Sequence, residues 1–300
     1  MIEKGPQSHQ FGRLLTAMVT PLDARGDLSI DRTKRLAEHL IETGTESIVV
    51  AGTTGESPTL TERDRMLLLN AVMEAVSGRI PVIAGTSTYS TAESVHLSQL
   101  AANEGAAGLL LVTPYYNKPS QEGLFRHFGA ISESVPDSPL IVYNVPSRTN
   151  VNMQAETVLR LDREFGNVVG LKEAVGITTD SGKNQVALVI EGKSEGFEVW
   201  SGNDQDTLEI MKMGGYGVVS VASHLAGDLI KRMIDHQIVG EQEEAQILND
   251  RLMPLFEALF PPTAPEPSPA SVKAMLNIIR IPVGDLRLPL VGIPREYHER

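Results

Sequence analysis

The sequence predicts an α/β fold, a (β/α)8 barrel with a helical C-terminal extension. Two observations carry that expectation. Short apolar runs alternate with stretches of helical period about eight times, at roughly 25–30 residues per unit. Small and polar residues gather after the apolar runs, and in a barrel those positions share one rim. A third observation weakens the competing open sheet: no Gly-x-Gly-x-x-Gly follows the first run and no Walker glycine–lysine loop occurs.

Taken in order, Leu14 to Val19 is the first strand, stopped by Thr20-Pro21. Turn chemistry surrounds Gly26, and Ser29 or Asp31 caps a helix to about Thr43 with Leu36, Leu40 and Ile41 on one face. Ser47 to Ala51 is the second strand. Thr61-Glu62-Arg63-Asp64 has the form of a capping box and starts a helix to about Val76. Ile80 to Ala84 is the third strand, with a helix from Thr91 to Asn103 stopped by Gly105. Gly108 to Val112 is the fourth, and Ser120 caps the helix to about Ser134. Leu140 to Tyr143, Val168 to Lys172, Phe197 to Ser201 and Gly217 to Val221 complete the strands. Helices over Gln154 to Arg163, Ser181 to Glu191 and Gln205 to Met213 follow the fifth, sixth and seventh. Leu225 to Gln237, Glu241 to Phe260 and Ala270 to Ile279 read as helices, with the proline-rich Pro261 to Pro269 irregular between the last two. The expected division is a catalytic barrel over residues 1–224 and a helical extension over 225–300, packed on it.

Composition narrows the chemistry. The 300 residues are 41% hydrophobic and 21% charged, which suits a large soluble core. A net charge of −12 argues against nucleic acid as a partner, because phosphate contacts need a basic face. There is no cysteine, hence no disulfide framework, no thiolate nucleophile and no cysteine metal site, which suits a reducing cytoplasm. Met1 to Gly12 is polar and lacks an apolar signal core, and no run approaches the ~20 apolar residues of a membrane helix. The seven histidines are scattered without a His-x-x-x-His pair, so no metal is expected. No Gly-x-Ser-x-Gly elbow marks an esterase-type triad.

The chemistry centres on Asn167-Val168-Val169-Gly170-Leu171-Lys172-Glu173-Ala174, a strand that ends in a lysine. A strand this apolar is buried on both faces, and it carries Lys172 into low dielectric, where desolvation lowers an amine's pKa. A partly neutral lysine is a nucleophile whose partner is a carbonyl. The bland alternative is a strand-end lysine paired with Glu173. Other strand ends converge on the same rim: Gly52-Thr53-Thr54-Gly55-Glu56, Tyr115-Tyr116, Tyr143 with Arg148, and Ser201-Gly202-Asn203-Asp204. A glycine-flanked turn offers N–H and hydroxyl donors to a small carboxylate, though it also serves as a plain tight turn. A phenol near a neutral amine can relay a proton, or simply fill the core. The planar fork of Arg148 suits a substrate carboxylate, or else makes a weak surface ion pair.

These residues resemble a known family. Gly52-Thr53-Thr54-Gly55-Glu56-Ser57, Pro114-Tyr115-Tyr116-Asn117-Lys118-Pro119, Tyr143-Asn144-Val145-Pro146-Ser147-Arg148-Thr149 and Gly170-Leu171-Lys172-Glu173-Ala174 are similar, in order and spacing, to motifs of the dihydrodipicolinate synthase / N-acetylneuraminate lyase family. The likeness spans about Leu14 to Pro289, with support from Gly217 to Val221, Glu266 to Pro269 and Leu286 to Pro289; Thr178 to Glu198 matches poorly.

The resemblance implies a TIM barrel that joins pyruvate to L-aspartate 4-semialdehyde on the diaminopimelate and lysine pathway. By it, Lys172 forms a Schiff base with pyruvate, and Thr53 and Thr54 hold the pyruvate carboxylate. Tyr143, Thr53 and Tyr116 form a proton relay, with Tyr116 reaching in from a neighbouring subunit. Arg148 binds the second substrate's carboxylate, and the backbones of Gly202 and Val219 shape the pocket. It implies no metal or organic cofactor and a cytoplasmic homotetramer built as a dimer of dimers. Relatives that cleave N-acetylneuraminate or keto-deoxy sugar acids share the barrel and the lysine. Arg148 and the second threonine of Gly-Thr-Thr-Gly-Glu favour the synthase among them. A non-catalytic barrel that senses a small molecule is the alternative of another class, disfavoured by the presence of both Lys172 and Tyr143. Ser57, Glu93 and Tyr115 match an allosteric lysine site of some members. Glu62, Arg65 and Tyr89 depart from the two histidines and asparagine of lysine-sensitive members, so lysine inhibition is expected to be weak or absent.

Overall fold

Eight short parallel strands, buried over nearly their whole length, pair in chain order and close β8 back onto β1. The computed structural model describes residues 11–260 and 268–294. The strands are β1 (Leu14–Ala17), β2 (Ser47–Val50), β3 (Val82–Gly85), β4 (Gly108–Val112), β5 (Leu140–Asn144), β6 (Val168–Glu173), β7 (Glu198–Ser201) and β8 (Gly217–Ser220). The barrel helices are α1 (Ile30–Glu42), α2 (Glu62–Val76), α3 (Thr91–Asn103), α4 (Gln121–Ser134), α5 (Pro146–Thr149), α6 (Ala155–Glu164), α7 (Asp180–Gly192) and α8 (Thr207–Lys212). Then come α9 (Ser223–Val239), α10 (Gln242–Leu259) and α11 (Ala270–Ile278).

Local chemistry sets the helix starts. Thr61 and Asp64 exchange hydrogen bonds as a capping box at α2, and Ser90, Ser120 and Thr179 accept from backbone amides at α3, α4 and α7. Ser29 stands at the N-cap of α1 but makes no side-chain cap. The expected helix from Gln205 divides into a 3₁₀ turn at Asp204–Asp206 and α8. Residues 261–267 of the stretch Pro261 to Pro269, expected to be irregular, lie outside the described residues, as do residues 1–10 of the polar N-terminus.

Two apolar layers follow from strand alternation. Outward residues such as Ile48, Val50, Leu109, Leu111, Val142 and Leu171 pack under the helices. Inward residues such as Leu15, Val49, Ile83, Leu110, Ile141, Trp200 and Val219 fill the barrel. The filling is tight: a Cβ on Gly170 would lie 2.6 Å from the Trp200 ring. The β5–β6 register is interrupted once, with Leu140 opposite Val168 but Ile141 opposite Gly170. Beyond that interruption Tyr143 faces Lys172 and Asn144 faces Glu173.

Candidate active site

Lys172 ends up inside the barrel, near the carboxyl end of β6, with 5% of its surface exposed. Its register partners are Tyr143 on β5 and Trp200 on β7. The Nζ atom lies 4.2 Å from the centroid of the Tyr143 ring. The ion-paired lysines among the described residues are Lys34, Lys193, Lys212, Lys231 and Lys273, and Lys172 is not one of them. Burial pulls its amine down to about pKa 7; the nearby Asp204 opposes that fall and Arg148 adds to it. The fall favours the free amine, the form with a lone pair to give.

Tyr143 is buried, and burial pushes its phenol up, partly offset by the Arg148 charge and a hydrogen bond with Thr53. Thr53 and Thr54 sit in the Gly52–Glu56 loop that leaves β2. That loop is held close: the Glu56 amide donates to the Thr53 carbonyl at 3.0 Å, and Thr20 Oγ1 donates to the Gly55 carbonyl at 2.6 Å. Glu56 itself adopts a left-handed φ of 57°, an uncommon setting for a residue with a side chain.

Arg148 stands on α5, a single turn that Pro146 starts and that Asn150 ends at a left-handed φ of 56°. Sequence reading left this turn unassigned, although Pro at the first helical position and Asn at the end are its signals. The guanidinium is exposed and its Nη2 donates to the Ser268 carbonyl at 3.2 Å. A cavity of about 200 Å³ is lined by Thr53, Ser57, Val112, Tyr115, Val145 and Arg148, among others. Gly202 follows β7, where a Cβ would lie 2.7 Å from that of Ala174, and Val219 is an inward residue of β8. Tyr143, Thr53, Arg148 and Lys172 therefore interact across the ends of β2, β5 and β6, while Gly202 follows β7 and Val219 lies within β8.

Tyr116 does not join them within one chain. It lies 91% exposed on the loop after β4, at a left-handed φ of 73°. Two acidic residues flank the lysine: Glu173, expected from the sequence to pair with Lys172 or to support the site while pointing away from it, and Asp204, expected only as a strand-end residue. Glu173 is 1% exposed and turns outward, accepting from Asn144 Nδ2 at 2.9 Å, Gln185 Nε2 at 2.9 Å and the Val175 amide at 2.9 Å. Burial nevertheless pushes its carboxyl up to about pKa 7. Asp204 is equally buried and accepts from the Ser220 hydroxyl and the Val221 and Ala222 amides at the start of α9. It supplies the negative charge that Lys172 feels. Its signal in the sequence was position alone, at a strand end.

At the expected effector positions, Tyr115 packs edge-on against Tyr89 with ring centroids 5.4 Å apart. Glu93 accepts from Thr88 Oγ1 at 2.9 Å. Arg65 is buried beside them, donating to the Ser57 carbonyl at 2.6 Å and the Gly85 carbonyl at 3.0 Å. Its charge interacts with both Tyr115 and Glu93. Glu62 points elsewhere, onto His96 at 2.8 Å.

Fold and site together define a class: parallel barrels that place a buried, unpaired lysine among hydroxyls and an arginine at the strand ends, where a carbonyl compound can be met. The chain belongs to the dihydrodipicolinate synthetase family, whose model matches residues 10–300. It is 48% identical over 289 residues to a 4-hydroxy-tetrahydrodipicolinate synthase of Symbiobacterium thermophilum, covering 96% of this chain and 95% of the relative. Its fold superposes on the crystal structure of the Cyanidioschyzon merolae enzyme with lysine bound at a TM-score of 0.92, with 43% identity and coverage of 97% and 96% of the two chains. The chloride-inhibited Acinetobacter baumannii enzyme, complexed with pyruvate, matches at a TM-score of 0.89, 36% identity and 96% of each chain.

Proposed function

We propose that this chain is a Schiff-base-forming lyase that condenses pyruvate with L-aspartate 4-semialdehyde to 4-hydroxy-tetrahydrodipicolinate, in the diaminopimelate route to lysine. The observation that carries the reading is Lys172: an amine buried on β6, without an ion-pair partner among the described residues and 4.2 Å from the Tyr143 ring. Relatives carrying the synthase name support the substrates, as does a related structure that holds pyruvate.

In this reading Lys172 Nζ adds to the keto carbon of pyruvate and water leaves, giving the imine. Thr53 and Thr54 hold the pyruvate carboxylate through hydroxyl and loop amide donors. Loss of a methyl proton gives the enamine, whose carbon attacks the aldehyde of the second substrate. Tyr143 passes protons between the reacting atoms and Thr53, a task suited to a phenol beside a neutral amine. The exposed fork of Arg148 takes the second carboxylate. The substrate's own amine then displaces Lys172 as the ring closes, returning the free lysine. No metal or organic cofactor enters these steps. Tyr116, on the surface of one chain, completes the relay of a neighbouring subunit in a tetramer of two tight dimers, and the enzyme works in the cytoplasm. Arg65 places a fixed cation beside Ser57, Glu93 and Tyr115, so binding of lysine there is repelled and feedback inhibition is weak or absent.

Incubation with pyruvate followed by borohydride is the test. The expected product is a reduced adduct on Lys172; its absence overturns the reading. Comparison of turnover with aspartate semialdehyde and with sugar aldehydes then fixes the second substrate, and faster turnover of a sugar aldehyde would reassign the enzyme to the aldolase branch.

A further inference from the structure

The chain from Ser268 onward reaches back to the site at three points. The Ser268 carbonyl accepts from Arg148 Nη2 at 3.2 Å. Lys273, on α11, places Nζ 2.5 Å from Glu56 Oε1, with the two side chains 2% and 1% exposed. The Arg287 amide donates to the other oxygen, Glu56 Oε2, at 2.8 Å. Arg287 then spreads its guanidinium over the same rim, donating to the Gly26 carbonyl at 2.8 Å, the Thr59 carbonyl at 3.0 Å and Asp64 at 2.7 Å. Lys273 is held in turn by the Asp285 carbonyl at 2.8 Å.

Two of these contacts meet on one residue: Lys273 Nζ and the Arg287 amide both reach the Glu56 carboxylate. Glu56 is the last residue of Gly52-Thr53-Thr54-Gly55-Glu56, and its amide is bonded to the Thr53 carbonyl. Ser57 closes the turn onto the Gly52 carbonyl at 3.2 Å. A buried carboxylate with one lysine and one backbone amide as partners is fixed in place, because leaving it unpaired in low dielectric is costly. Whatever fixes Glu56 in its left-handed conformation fixes the peptide units that orient Thr53 and Thr54.

We infer that Lys273 and Arg287 are positioning residues that clamp the Gly52–Glu56 loop through Glu56, so that the C-terminal segment sets the geometry with which Thr53 and Thr54 hold a substrate carboxylate. The inference rests on the proposed reading of that loop as the pyruvate-carboxylate site. It makes α11 and its tail part of the binding apparatus, although neither touches substrate.

Two variants test it: Arg287→Gln, which keeps the backbone amide on Glu56 but frees the segment that carries it from Gly26, Thr59 and Asp64, and Lys273→Met combined with Glu56→Gln, which removes both buried charges together. Each is measured for pyruvate KM, kcat, melting temperature and the borohydride adduct on Lys172. The expected result is a rise in pyruvate KM of about tenfold, from the loss of one charge-assisted contact's worth of ordering. The fall in kcat at saturating pyruvate is smaller, the adduct still forms at high pyruvate, and Arg287→Lys recovers part of the affinity. A lowered melting temperature with wild-type pyruvate KM in Arg287→Gln overturns the inference, since a purely structural clamp predicts that outcome. If the double variant does not fold, Arg287→Gln decides alone. Failure of the wild-type protein to form the adduct overturns the functional reading and the inference with it. An adduct in the wild type with unchanged KM in the variants overturns only the inference.

Discussion

Two lysines of this chain are buried almost equally, and in the proposed function they do opposite things. Lys172 lies in the barrel with 5% exposure, Lys273 under the C-terminal segment with 2%. Burial lowers both amines. Lys273 is met by a carboxylate at 2.5 Å and a carbonyl at 2.8 Å, whereas Lys172 is met by the face of a phenol and by the more distant charge of Asp204. A buried amine with a partner is a tie; a buried amine without one is a reagent. The difference lies in the neighbours and not in the degree of burial, which is why burial by itself is a poor guide to a nucleophile.

The comparison can be broken most directly by removing each lysine. Lys172→Met is expected to lower turnover by at least about 10³-fold, because the covalent route is lost. Its stability should match or exceed that of the wild type near neutral pH, measured by denaturant unfolding. Lys273→Met alone should do the reverse. It strands Glu56 as an uncompensated buried charge and should cost roughly 3–5 kcal/mol, while the adduct on Lys172 still forms in the folded fraction. If both variants lose activity and stability in parallel, the distinction between tie and reagent is wrong.

Tyr143→Phe sharpens the comparison on the reagent side. The aromatic face over Nζ is kept and the proton carrier is lost, so kcat should fall by about 10²-fold with the adduct retained. The pH dependence comes next. Only neutral Lys172 attacks, so kcat/KM for pyruvate should rise through about pH 7 and level off above it. The stability term has its own sign. Because the folded pKa lies below the unfolded value, the unfolded chain binds the extra proton between about pH 7 and the ordinary lysine range. Stability from this group therefore increases as pH rises across that window, and Lys172→Met should flatten the increase. A profile that falls above pH 7 would contradict the assigned nucleophile. The smallest effect is expected from added lysine, which should leave the rate unchanged; half-inhibition at sub-millimolar lysine would show that Arg65 does not exclude it.

The barrel was legible because apolar runs and capping residues recur with a regular spacing, and because strand ends such as Tyr143 and Lys172 fall where a barrel needs them. What was not legible depends on contacts between distant parts of the chain. Nothing near Glu56 announces that Lys273 and Arg287, more than two hundred residues away, close on its two oxygens. Nothing local marks Asp204 as the charge beside Lys172, because its bonds run to Val221 and Ala222, between β8 and α9. The turn that carries Arg148 was missed for another reason: four residues are too few for a helical period to show, although Pro146 and Asn150 mark its ends.

The interrupted register between β5 and β6 has a consequence for what the barrel contains. Along an unbroken strand inward positions recur at every second residue. Val169 belongs to the inner layer, so strict alternation would send Leu171 and Glu173 inward and turn Lys172 out toward the helices. Instead Leu171 packs in the outer layer, Gly170 meets the Trp200 ring, and Lys172 faces Tyr143. One irregular peptide step has reversed the parity of β6. That step is a phase setting: shift it past Lys172, and the mouth receives a carboxylic acid in place of an amine. Loops around the barrel can lengthen freely, but between Val169 and Lys172 the chain can neither gain nor lose a single residue without exchanging an electron-pair donor for an acid.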